Sequence, residues 1–163
     1  MSLELRPDEL YPARAAVFFL CSLGALRLAA ADARGALLFG TRAWQAAAAL
    51  PAADACHSDV ACALGAAAFH LRAFSLAASL FARALAARSG GDSRTHSLDV
   101  ALPLHNLAAA AACAGLPDLG FRLLKRCEEF MRIEVPPSHP RCELVAHNLT
   151  SLRCRGARLA VGV

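Results

Sequence analysis

The sequence predicts an all-α fold, on three observations. Of 163 residues, 57% are hydrophobic and 18% charged, which is ample apolar material for one packed domain. That material is chiefly alanine and leucine, with one Tyr, one Trp and few β-branched residues, so intrinsic propensity favours helix almost throughout. Helical apolar patterns also return at a near-constant interval: Leu23-Gly24, Leu64-Gly65, Leu107-Ala108 and Leu149-Thr150 are spaced by 41, 43 and 42 residues. A period of that size predicts stacked helix pairs, an α-solenoid of about three hairpins plus a C-terminal capping helix.

The elements follow in chain order. Residues 1–12 form an N-terminal segment whose Leu3, Leu5, Leu10 and Tyr11 either fold back over the first hairpin or dock on a partner. The repeat domain covers 13–155, with hairpins at about 13–50, 57–90 and 97–134, a cap helix within 140–155, and a tail at 156–163. Its helices are predicted near 13–30, 33–49, 58–71, 73–88, 97–114, 117–133 and 141–155. Pro51, the run RSGGDSRTHS from Arg88 to Ser97, GLPD from Gly115 to Asp118 and VPPSHP from Val135 to Pro140 separate them. Ser58 and Ser97 are candidate N-caps. Pro103 falls about one and a half turns inside the fifth helix, so that helix either kinks or begins later.

The repeat continues downstream of each leucine. Thirteen residues after the first three stand Ala36, Ala77 and Gly120, small enough for the second helix to cross the first closely. Gly40, Phe81 and Leu124 come next, then Ala43, Ala84 and Cys127. Junctions before the later leucines read HSDVACALGA at His57, HSLDVALPLHNLA at His96 and HPRCELVAHNLT at His139. In these features the chain resembles tetratricopeptide repeat proteins, of the long-linker kind found in kinesin light chains, over roughly residues 14–155.

That resemblance implies a right-handed solenoid with a concave groove lined by the first helix of each hairpin, where a peptide or partner helix can lie. It places the Asn106 and Asn148 carboxamides in the groove, with His105 and His147 beside them, Ala109 and Phe69 among the apolar lining, and Arg27 as its main basic group. Ser22 and Ala63 match the asparagine position in the earlier repeats, and Ala25, Leu28, Ala66 and Ala112 continue the lining. The groove departs from those of chaperone-binding and cargo-binding members, which resemble one another in carrying several basic side chains.

Other classes find little support. The net charge of +4 is spread over sixteen arginines and Lys125 without a basic face, so nucleic acid is not an expected partner. Seven cysteines at irregular spacing read as small apolar residues in a reducing compartment. Neither Cys56, His57 and Cys62 nor His139 and Cys142 has the spacing of a zinc site. No catalytic constellation or cofactor motif is present. Ala15–Ala31 looks like a signal or membrane segment, but Arg27 interrupts it and acidic residues precede it, so a buried helix of a soluble fold is expected. Arg153, Arg155 and Arg158 read as a solvated cap and tail.

The expected function is a non-enzymatic, cytoplasmic scaffold without metal or cofactor, docking on protein partners in a larger assembly. The long-linker resemblance points to a cytoskeletal or ciliary one. The alternative is a transient peptide-binding adaptor using the groove, and a third reading is membrane association through the N-terminal apolar helix.

Overall fold

The structure, a computed structural model, describes residues 7–89, 97–154 and 161. The described residues form seven α-helices and no strand: α1 (Pro7–Ala29), α2 (Ala33–Ala47), α3 (Cys56–His70), α4 (Phe74–Ser89), α5 (Ser97–Cys113), α6 (Pro117–Glu134) and α7 (Pro140–Arg153). The all-α expectation holds. The largest boundary difference is at α1, which begins at Pro7 and includes Pro12, so part of the expected N-terminal segment is helix. Leu3, Leu5, His96, Arg155 and Arg158 lie outside the described residues.

Local chemistry explains most of the ends. The Asp32 carboxylate accepts the Gly35 N–H at 2.8 Å and caps α2. Pro117 and Pro140 occupy the first turns of α6 and α7, where no N–H is needed. Ser58 is not the cap of α3. That helix starts at Cys56, whose N–H is held by the Asp54 carboxylate at 3.0 Å, while Ser58 lies within it and donates from a buried hydroxyl to the Ala84 carbonyl at 3.0 Å. Burial raises the Asp54 carboxyl, but the Cys56 amide and the Arg14 guanidinium outweigh it and hold the group below the usual carboxylate value. Ser97 opens α5, although its side chain lies outside the description. Pro103 is buried inside α5, which runs through it, so the helix does not begin later.

Three turns share one geometry. Ala31 (φ 59°), Arg72 (φ 62°) and Gly115 (φ 94°) adopt the left-handed conformation, each eight residues after its repeat leucine. In every case that residue's N–H bonds the carbonyl three back, and the next N–H bonds the carbonyl five back: Ala31 to Leu28 with Asp32 to Arg27, Arg72 to Phe69 with Ala73 to Ala68, Gly115 to Ala112 with Leu116 to Ala111. A side chain in this conformation is strained, whereas glycine is not. Ala31→Gly should therefore stabilise the fold by about 0.5–1 kcal/mol, after allowing for the greater freedom of unfolded glycine. Gly115→Ala, with open space around its Cβ position, should destabilise it by about 1 kcal/mol through backbone strain alone. Chemical denaturation of the two variants checks both signs.

Each helix packs on the next in the chain, and α1–α3, α3–α5 and α5–α7 also touch, whereas the backbones of α2, α4 and α6 stay apart and side chains bridge the gap, as where the Arg83 guanidinium of α4 lies 4.5 Å from the centre of the Trp44 ring of α2. The odd helices thus form a shared layer, and the even helices stand apart on its other side. Close crossings within pairs depend on small residues. A Cβ at Gly24 would sit 3.6 Å from the Ala36 carbonyl oxygen, one at Gly65 would sit 2.7 Å from the Phe81 ring, and one at Gly120 would sit 2.7 Å from the Ala108 carbonyl oxygen. Gly40 stands where the other two pairs carry Phe81 and Leu124, and Leu64 of α3 fills the space, 2.7 Å from where its Cβ would be.

Ala36, Ala43, Ala77, Ala84, Phe81, Leu124 and Cys127, all positions of the repeat pattern, are buried. One set of equivalent positions is chemically different in each pair. The first buries Val17 and Ala43 in one apolar cluster, the second bonds Ser58 to the Ala84 carbonyl, and the third bonds the Cys127 thiol to the Ala101 carbonyl at 3.2 Å. The core is correspondingly divided into a cluster at α1–α2–α3, one at α3–α4–α5 and one at α5–α6–α7. α7 closes the last through Val145 and Leu149, and its Arg141, Glu143 and Arg153 are exposed.

α1 departs from the buried helix expected for Ala15–Ala31. It buries Leu10, Val17 and Gly24, seven residues apart, and leaves Tyr11, Phe18, Phe19 and Leu26 outside, with Phe18 77% and Phe19 62% exposed. The stretch Leu10–Ala29 is long and apolar enough to cross a membrane, and little of it is covered by the rest of the chain.

Candidate partner-binding cleft

A cleft of about 440 Å³ opens along the odd layer. α1 contributes Phe18, Cys21, Ser22 and Ala25, α3 contributes Asp59, Cys62 and Ala63, α5 contributes Asp99, Leu102 and Pro103, and Arg141 of α7 stands at its far end. The cleft follows from helical spacing: Phe18, Ser22 and Ala25 are on one face of α1, as are Asp59, Cys62 and Ala63 on α3.

Its wall carries one charged node. The Arg88 guanidinium of α4 pairs with Asp59 of α3 and lies 3.7 Å from Asp99 of α5, so one cation bridges two carboxylates from neighbouring odd helices. A planar fork with five donors suits that arrangement. Arg141 adds an exposed cation beyond it.

The thiols are held neutral. Burial, followed by the Asp59 carboxylate, pushes Cys62 up to about 12 and Cys21 up to about 11, and burial with the Asp54 carboxylate pushes Cys56 to about 11. Cysteines in this state act as small apolar surface rather than as nucleophiles. All seven cysteines are free thiols, and among the described residues no group of three or more His, Cys, Asp or Glu side chains is placed to hold a metal ion. The cleft can accept apolar side chains and offer Arg141 to an acidic group.

The residues expected in the groove are dispersed. Asn106 and Asn148 are 0% exposed and His105 2%, and the Asn148 Nδ2 lies 3.2 Å from the His105 Nε2, joining α7 to α5 in the interior. Burial removes these three from the surface that a peptide could reach, and the same holds for Ala109. The physical reason is that α5 is an inner helix, on which α3, α4, α6 and α7 all pack, α7 through the His105–Asn148 contact. Phe69 is half-buried against the α3–α4–α5 cluster and meets Phe74 edge to face at 5.2 Å. Arg27 is exposed, 3.5 Å from Asp32 and over the Phe39 ring, outside the cleft. His147 is exposed on α7, also away from the cleft lining.

Sequence reading therefore missed Phe18, Asp59, Leu102, Arg88, Asp99 and Arg141. The signal was available for three of them: Phe18, Asp59 and Leu102 lie one turn before Ser22, Ala63 and Asn106, on the same helix face. The Arg88 node pairs residues far apart in sequence and has no local pattern. Comparison with models of known protein families finds no match to this chain, and comparison with curated proteins finds none.

Proposed function

We propose that this chain is a non-enzymatic protein-interaction scaffold, built as a right-handed solenoid of three tetratricopeptide-like hairpins and a capping helix, that docks permanently in a larger assembly. The recurring left-handed turns, the contacts among odd helices and the wider backbone spacing of the even helices support the solenoid. One observation carries the docking: the outer face of α1 exposes Tyr11, Phe18, Phe19 and Leu26, a large apolar patch of the kind that marks an interaction surface. The long-linker resemblance favours a cytoplasmic assembly of the cytoskeleton or cilium.

Affinity purification of the chain in mild salt should recover a stoichiometric protein partner, and the Phe18→Ser/Phe19→Ser double variant should lose it while keeping its helical circular dichroism. Recovery undiminished in the double variant would move the docking elsewhere, and the absence of any stoichiometric partner would sink the scaffold reading. Flotation with lipid vesicles instead would reassign the same face to a membrane, as the length and composition of Leu10–Ala29 permit. A second reading, a transient peptide adaptor, is favoured by the open cleft with its Asp59–Arg88–Asp99 wall. It requires weak binding of short peptides that Cys62→Arg blocks by filling the cleft.

A further inference from the structure

Beyond Cys154 the described chain consists of Val161 alone. That residue is half-buried and packs against the cluster that α3, α4 and α5 build from Ala66, Ala68, Ala77, Phe81 and Ala110. Leu28 and Phe69 lie against the same cluster. Leu28, Ala66 and Phe69 are groove positions on successive first helices in the repeat pattern, so Val161 sits on ground expected for a foreign peptide.

The connection is short but sufficient. Seven residue steps separate Cys154 from Val161, and a chain of that length reaches at most about 25 Å. α7 touches α5 and α5 touches α3, so the distance across is two helix spacings of about 8–10 Å each. Four of the five buried residues of that cluster are alanines, whose short side chains suit a compact branched neighbour such as valine better than a long or charged one. The sequence RGARLAVGV from residue 155 has no acidic side chain and ends in small apolar residues, which suits that lining.

We infer that the α3–α5 surface is a binding site for a short apolar segment and that its resident occupant is this chain's own C-terminal segment, anchored by Val161. The cleft beside it stays open, so a partner in the cleft and the tail on the adjoining surface are neighbours, and a longer ligand must displace the tail. This reading does not depend on any external partner and can fail or stand independently of the scaffold proposal.

The test uses the peptide RGARLAVGV, labelled at its N-terminus, and fluorescence anisotropy. A short tether gives the resident segment an effective concentration in the millimolar range, so for a contact with a dissociation constant of about 0.1 mM the full chain should bind the peptide about ten-fold more weakly than a chain ending at Cys154. Full-length Val161→Asp should bind it as the truncated chain does, and a peptide carrying the same Val161→Asp change should fail to bind either. Equal affinity for full-length, Val161→Asp and truncated chains would overturn the inference. So would absence of peptide binding to a truncated or Val161→Asp chain of native helicity. Should truncation unfold the protein, the full-length Val161→Asp comparison decides alone.

Discussion

Phe81→Ala is expected to cost about 3–5 kcal/mol of stability, the range for emptying a fully buried aromatic site. Phe81 is 0% exposed, its ring fills the space over Gly65, and it belongs to the cluster joining α3, α4 and α5. A domain of this size has only about 5–15 kcal/mol in total, so the loss should lower Tm by roughly 10 °C or more. Gly65 provides the internal control. Its added Cβ would lie 2.7 Å from the Phe81 ring, so Gly65→Ala should destabilise the wild-type chain by about 1–2 kcal/mol, the overpacking strain less the gain in helix propensity. In the Phe81→Ala background the ring is gone, and the same change should be neutral or stabilising. Equal destabilisation in both backgrounds would mean that the ring is not what excludes a side chain at Gly65.

The second large effect concerns the interior polar pair. Asn148→Ala removes the contact to His105, 3.2 Å away, and should cost about 1–3 kcal/mol because both groups are shut off from water. Adding His105→Leu should cost less than the sum of the two single changes, since the polar ring is removed along with its partner. The loss should also be local. Amide exchange of α7 should accelerate while α1 and α2, which share no cluster with Asn148, keep their protection. Uniform acceleration along the chain would show instead that the helices open as a single unit.

These residues also mark how much the sequence disclosed. The helices and the turns between them were legible because their signals are local and repeated: a leucine, a small residue thirteen positions on, and breakers between. The same features place Ala36, Ala77 and Gly120 at close crossings and the turns at Ala31, Arg72 and Gly115. Ser58 misled because a hydroxyl before an apolar run looks like a cap, and here a tertiary bond to Ala84 claims it. Asn106 and Asn148 misled more seriously. A carboxamide on the first helix of a hairpin faces open space only if nothing covers that helix, and α3, α4, α6 and α7 all pack on α5. The cleft itself was partly readable, through Ser22, Ala25 and Ala63, but the bridge from Arg88 to Asp59 and Asp99 joins three helices and leaves no trace in any one of them.

The gap at Gly40, where the other two pairs carry Phe81 and Leu124, bears on how the chain reaches its structure. Repetitive chains are prone to assemble out of order, because neighbouring units offer nearly the same surface. Here the first hairpin meets the second through a fit of its own, because Leu64 of α3 fills the gap left by Gly40 of α2, and the equivalent positions Phe81 and Leu124 carry bulky side chains and leave no such gap. Gly40 thus marks the place of α3, and the irregularity that blurs the repeat on paper serves during folding as an address.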